Sequence, residues 1–158
     1  MSISLYEHDV TEIVPNLWLG NYKAAYDYSF LSKYKINIII TIRETFDNTR
    51  KYPNIKYLTL GVKDVDVCNI NLIPIFENIT TFIYNSLKSG NRILIHCKRG
   101  HHRSATIIAA YLIKYLHYDY NSAIKYIKQL RPCAFREKKC ILEWLYKYYV
   151  SIHKIDKY

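Results

Sequence analysis

The stretch Ile93-Leu94-Ile95-His96-Cys97-Lys98-Arg99-Gly100-His101-His102-Arg103-Ser104 constrains this chain more than any other. An apolar run ends in a cysteine, a loop with one glycine follows, and an apolar pattern with helical spacing begins after the arginine and serine. Strand, loop and helix in that order make a place to hold an anion. The loop's backbone N–H groups can curl around a tetrahedral anion, and Gly100 allows the tight bend. The helix starting near Ser104 turns its positive end into the same space. Arg103 adds a planar fork that takes two phosphate oxygens at once, which a lysine cannot do.

The same field acts on Cys97. A thiol with a pKa near about 8.5 is only about 3% ionised at pH 7, and electropositive sites lower that pKa to between about 3.5 and 7.5. One arrangement therefore binds a phosphate dianion and activates the nucleophile that attacks it.

The rest of the chain supplies a single α/β domain. With 158 residues, half of them hydrophobic, and only 4 Gly and 4 Pro, it suits one domain over 1–158 with its core at about 11–150. Glu12 to Gly20 reads as two short strands joined by a Pro15-Asn16 turn, and Asn21 to Phe30 as a short helix. Ile36 to Ile42 is too apolar for an edge strand, and Ile55 to Val62 is a further strand. Asn69 or Asn71 caps a helix whose apolar face runs from Leu72 to Leu87 and which stops at Gly90. Arg92 to His96 feeds the loop. Helical patterns over Ser104 to His117, Asn121 to Leu130 and about Arg136 to Tyr149 close the chain, with Arg131-Pro132 as the last break. Strands alternating with helices predict a central, mostly parallel sheet flanked by helices, with ligands beyond the carboxyl ends of the strands. The Cys97 loop lies there, and so does the segment carrying Asp64 and Asp66.

His-Cys-x5-Arg-Ser, filled by His96, Cys97, Arg103 and Ser104, resembles the active-site motif of the cysteine-dependent protein tyrosine phosphatases, most closely the small dual-specificity branch. The similarity runs from about Ile13 to Tyr149. It includes Val14-Pro15-Asn16-Leu17-Trp18-Leu19-Gly20, Ala109-Ala110-Tyr111-Leu112-Ile113 and Leu130-Arg131-Pro132. The resemblance implies a phosphocysteine intermediate on Cys97 that water then hydrolyses. Arg103 would bind the phosphoryl group and stabilise its transition state. His96 would orient the loop, and Ser104 would hydrogen-bond the sulfur and help it leave. It implies no cofactor and no metal, and phosphorylated proteins as partners. It also implies a general acid on a separate loop, and alignment puts Asp66 at that position, with Asp64 as the alternative. A positioned acid is typically worth about 10²–10⁴ in rate.

Charge leaves the substrate open. The net charge of +10 draws acidic partners. Lys98, Arg99, Gly100, His101 and His102 form the substrate-binding loop with Arg103, and its basic residues also resemble branches acting on inositol phosphates or phosphoinositides. Three readings follow: a protein phosphatase for phosphotyrosine and phosphoserine/threonine, the same chemistry on an inositol phosphate, phosphoinositide or RNA 5′-triphosphate, or a silent phosphoprotein-binding module. Adjacent histidines point in different directions, so His101-His102 does not suggest a metal site. DNA is not expected as a partner. The segment before Thr11 is compatible with packing against a second copy as a homodimer.

Cys68, Cys97, Cys133 and Cys140 form no Cys-x-x-Cys pair. Met1 to Val10 lacks the apolar core of a signal peptide, and the longest apolar stretch, Ala105 to Ile113, falls short of the roughly 20 residues that span a bilayer. An intracellular, cytoplasmic setting with unoxidised thiols follows, or a host cytoplasm or virion for a viral source. Trp18, Trp144 and most of the 17 tyrosines are expected in packing roles, and Arg131 as the residue that ends its helix.

Overall fold

The computed structural model describes residues 9–43, 51–62, 69–98, 101–136 and 139–155. Pro15 and Asn16 interrupt the first apolar alternation. Asn16 takes φ 69, the left-handed region that asparagine tolerates better than most residues. The chain therefore doubles back, and β1 (Val10–Val14) pairs antiparallel with β2 (Leu17–Gly20).

Two short helices follow where the sequence suggested one, α1 (Tyr22–Tyr26) and α2 (Tyr28–Lys33). The break has a local cause. Asp27 accepts a hydrogen bond from Phe30 N at 3.1 Å and so starts a new helix instead of continuing the old one. Asn21 caps the first helix through Lys23 N and Ala24 N.

The β-branched run gives β3 (Ile38–Ile42), which pairs in parallel with β4 (Lys56–Leu60) and β5 (Ile93–His96). β5 also pairs in parallel with β2, so the five-stranded order is β1-β2-β5-β3-β4. The strand that delivers Cys97 is the middle one.

Between β4 and β5 lies α3 (Ile73–Lys88), followed after β5 by α4 (Arg103–Tyr115), α5 (Tyr120–Leu130) and α6 (Lys139–Ile155). The N-cap of α3 is Leu72, not Asn69 or Asn71. Asn71 still contributes, since its side-chain oxygen accepts from Ile73 N at 3.1 Å. Pro74 in the first turn needs no helical donor there. Gly90 ends the helix at φ 87.

Strand alternation assigns the two faces of the sheet. Leu17, Leu19, Ile38, Ile40, Ile42, Ile93 and Ile95 pack in the main core with α3 through α6, around Phe76, Ile108, Leu145 and Tyr148. Their neighbours Ile39 and Leu94 face a second cluster with Phe30, Leu31 and Trp18. Trp18 meets Phe30 edge-on at 5.2 Å, so its expected packing role is met. With helices on both faces, the sheet must be apolar on both sides, as parallel sheets are. The buried Tyr148 hydroxyl resists ionisation, its pKa raised chiefly by desolvation.

Cys97 and Cys133 remain thiols, whereas Cys140 is disulfide-bonded. This corrects the expectation of unoxidised thiols throughout, which rested on the compartment and not on which sulfurs the fold brings together.

Gly20 is held for its lack of a side chain. A Cβ there would sit 2.9 Å from Asp9 O and 3.1 Å from Ala24 Cβ. Gly20→Ala is expected to destabilise the protein by about 1–3 kcal/mol, as overpacking does. Urea unfolding measures this, and an unchanged midpoint would mean that β1 and α1 give way freely.

Candidate active site

Residues that are remote in sequence meet at the carboxyl end of β5. Cys97 is 4% exposed and its Sγ shares a hydrogen bond of 3.1 Å with Ser104 Oγ, in the first turn of the loop's helix. Arg103 and Ser104 open α4, which carries no acidic residue in its first turn to oppose an anion. Both are buried. The structure thus brings together Cys97, Arg103, Ser104 and His96.

His96 is fixed from both ring nitrogens. Nε2 shares a 2.8 Å hydrogen bond with Thr41 Oγ1 on β3, and Nδ1 lies 3.3 Å from the Cys97 carbonyl oxygen. The register explains the first contact, because Thr41 and His96 are direct partners across the β3–β5 ladder. Sequence reading missed Thr41. Its only signal is a hydroxyl at a half-buried position in an otherwise isoleucine-rich strand.

The loop is braced from outside at several carbonyls. Tyr22 N at the start of α1 donates to Lys98 O at 3.3 Å, and Phe135 N donates to His101 O at 2.7 Å. Thr106 Oγ1 and its backbone N donate to His102 O at 2.7 and 2.9 Å. Lys98 is exposed, while His101 and His102 are half-buried with their rings edge-to-face at 5.8 Å. Arg99 and Gly100 lie outside the described residues, as do both acid candidates, Asp66 and Asp64, and Cys68.

Arg103 makes a contact that sequence reading did not foresee. Its Nη1 donates to Val62 O at 2.9 Å, just beyond β4. This is the residue immediately before the segment 63–68 that carries the two aspartates. Arg103 and the residue that precedes the segment carrying Asp64 and Asp66 are therefore in direct contact. Arg131, expected to be a helix terminator, is buried and its Nη1 donates to Thr11 Oγ1 at 3.1 Å on β1. Among the described residues no group of three His, Cys, Asp or Glu side chains is placed to hold a metal ion.

Comparison with known proteins decides the family. The model of the dual specificity phosphatase catalytic domain matches residues 17–151. This chain belongs to that family, within the cysteine-dependent protein tyrosine phosphatase superfamily. A putative tyrosine phosphatase of invertebrate iridescent virus 6 is 31% identical over 79% of this chain and 82% of the viral protein. The Slingshot phosphatase homologue of Xenopus laevis is 31% identical over 77% of this chain, which spans only 17% of that longer protein. The crystal structure of DUSP15 superposes with a TM-score of 0.84 at 27% identity, covering 95% of this chain and 94% of its own. The fold and family implied by the motif are thus borne out.

Removing the His96 anchor tests the site's rigidity. Thr41→Val is expected to lower stability by about 1–3 kcal/mol, because it removes the hydroxyl that shares a hydrogen bond with the buried imidazole. Denaturant titration checks this, and a wild-type value would show that another group replaces the hydroxyl.

Proposed function

We propose that this chain is a cysteine-dependent protein phosphatase that hydrolyses phosphotyrosine and phosphoserine/threonine. The observation that carries the reading is the buried Cys97 thiol within 3.1 Å of Ser104 Oγ, under the N-terminus of α4 and adjacent to Arg103 at the helix start. A silent binding module would need an arginine and a helix end, but not a nucleophile with a hydroxyl in hydrogen-bond reach.

In the first step the Cys97 thiolate attacks phosphorus, an S–P bond forms and the P–O ester bond breaks. The departing oxygen takes a proton from Asp66. Arg103 turns its fork to the three equatorial oxygens, where charge spreads in the transition state. In the second step water attacks phosphorus and gives a proton to the Asp66 carboxylate. The S–P bond breaks, phosphate leaves, and Ser104 stabilises the returning thiolate by hydrogen bonding. His96, held by Thr41, keeps the Cys97 backbone oriented.

Phosphate release from phosphotyrosine and phosphothreonine peptides, inositol polyphosphates and RNA 5′-triphosphate tests the reading. Cys97→Ser is expected to abolish release from the peptides, and full activity in that variant would sink the mechanism. Untouched peptides alongside hydrolysed inositol phosphates would replace the substrate assignment. Asp66→Asn is expected to slow turnover by about 10²-fold or more and to remove the basic limb of the pH profile. An unchanged profile would move the acid to Asp64.

A further inference from the structure

Arg103 and Arg131 are both buried, and the mechanism above uses only the first. Arg131 is just 3% exposed. A guanidinium stays charged when taken out of water, so burying it is costly unless polar partners surround it.

Its backbone and side chain each reach a different part of the site. Arg131 N still donates to Ile127 O at 2.7 Å, so the residue closes α5 as its sequence position suggested. Its carbonyl then accepts from Ala134 N at 3.0 Å, forming a turn that runs into Phe135. Phe135 stands at φ 60, a left-handed conformation that an aromatic residue seldom adopts. That conformation aims Phe135 N at His101 O in the phosphate loop, at 2.7 Å. In the other direction the guanidinium donates to Thr11 Oγ1. Thr11 pairs with Leu19, which pairs with Ile95, two residues before Cys97. At about 4.8 Å per strand, the anchor lies about 10 Å across the sheet from the nucleophile's own strand.

We propose that Arg131 is a positioning residue for the Cys97 reaction: anchored on Thr11, it fixes the 131–135 turn that holds His101 in the phosphate loop, and it adds a second buried positive charge at the nucleophile's end of the sheet. The proposal rests on Cys97 being that nucleophile. Burial draws the Arg131 pKa down, while negative charge on Cys133, Cys97 and Asp9 acts to keep the guanidinium protonated. Such an attraction is mutual, so the cation favours the Cys97 thiolate as the thiolate favours the cation. The other described titratable groups at this end of the sheet are His96 on β5, Lys98, His101 and His102 in the loop, and Arg103 on α4. Lys23 on α1 and Arg43 after β3 share the same edge. Asp9, the described carboxylate there, is already engaged by Asn21 Nδ2 at 2.9 Å.

The test titrates Cys97 alkylation by iodoacetamide against pH, read by mass spectrometry on the Cys97 peptide, in the full chain and in its Arg131→Gln, Arg131→Lys and Thr11→Val forms. It also measures kcat and KM for p-nitrophenyl phosphate. In Arg131→Gln the alkylation midpoint is expected to rise by about half to one pH unit and kcat/KM to fall about tenfold. Arg131→Lys keeps the charge, so its midpoint stays near that of the wild type while kcat falls a few-fold. Thr11→Val loses only the anchor and lowers kcat a few-fold with KM unchanged. An arginine of purely structural importance would lower thermal stability in all three without moving the midpoint, and a folded Arg131→Gln protein with an unshifted midpoint overturns the proposal. Should that variant not fold, wild-type kcat in both Arg131→Lys and Thr11→Val overturns it instead. Alkylation needs no substrate. A wild-type Cys97 that titrates as an ordinary thiol would therefore sink the nucleophile reading itself, a result separate from the failure of Arg131 alone.

Discussion

A short loop can direct its amide hydrogens at one anion only if its carbonyls, pointing the other way, find donors elsewhere. Buried backbone oxygens without donors are costly, so this condition governs what must surround the loop. Here the Lys98 oxygen takes its donor from α1, the His101 oxygen from the turn after α5, and the His102 oxygen from Thr106 on α4. The Cys97 oxygen lies against the His96 ring. Three separate elements are thereby committed to one loop. Seen this way, the helices are not packing around a finished site, because their ends complete its hydrogen bonding.

The sheet answers the same requirement from below. β5 is central and parallel to both neighbours, so β2 and β3 end level with it. Gly20 lets Asp9 and α1 approach closely enough for Tyr22 to reach the loop. On the other side, Thr41 meets His96 by register alone. Apolar burial on both faces then makes these positions stiff, since the strands cannot slip by one residue without exchanging their two buried faces.

Much of this was legible in the residues. The strand-loop-helix order around Cys97, the hairpin at Pro15-Asn16 and the parallel sheet all follow from local pattern, because each depends on neighbours in sequence. What escaped reading depends on pairs far apart. Thr41 is 55 positions from His96, and Arg103 is 41 positions from Val62. Arg131 looked like a terminator because Pro132 follows it, and nothing local says that its side chain crosses to Thr11. The break at Asp27 was missed because an aspartate can both sit within a helical pattern and restart one, and only the carboxylate's hydrogen bond to Phe30 N distinguishes the two. Cys140 was expected to be an unoxidised thiol, since sulfur pairing is not a local property. Asp66 and Asp64 rest on alignment alone, as both lie outside the described residues.

The central place of β5 has one further consequence. Cys97, Arg103 and Ser104 sit at one strand end and the helix after it, while the neighbouring strands β2 and β3 lead into connections of their own after Gly20 and Ile42. A change of length or charge in the connection after β3 leaves the hydrogen bonds described for the Cys97 loop in place, whereas the one after β2 leads into Tyr22, which braces it. Insertion and deletion after β3 are therefore tolerable in a way that they are not after β2, and a lineage could vary that edge while keeping β5 and α4 as they are.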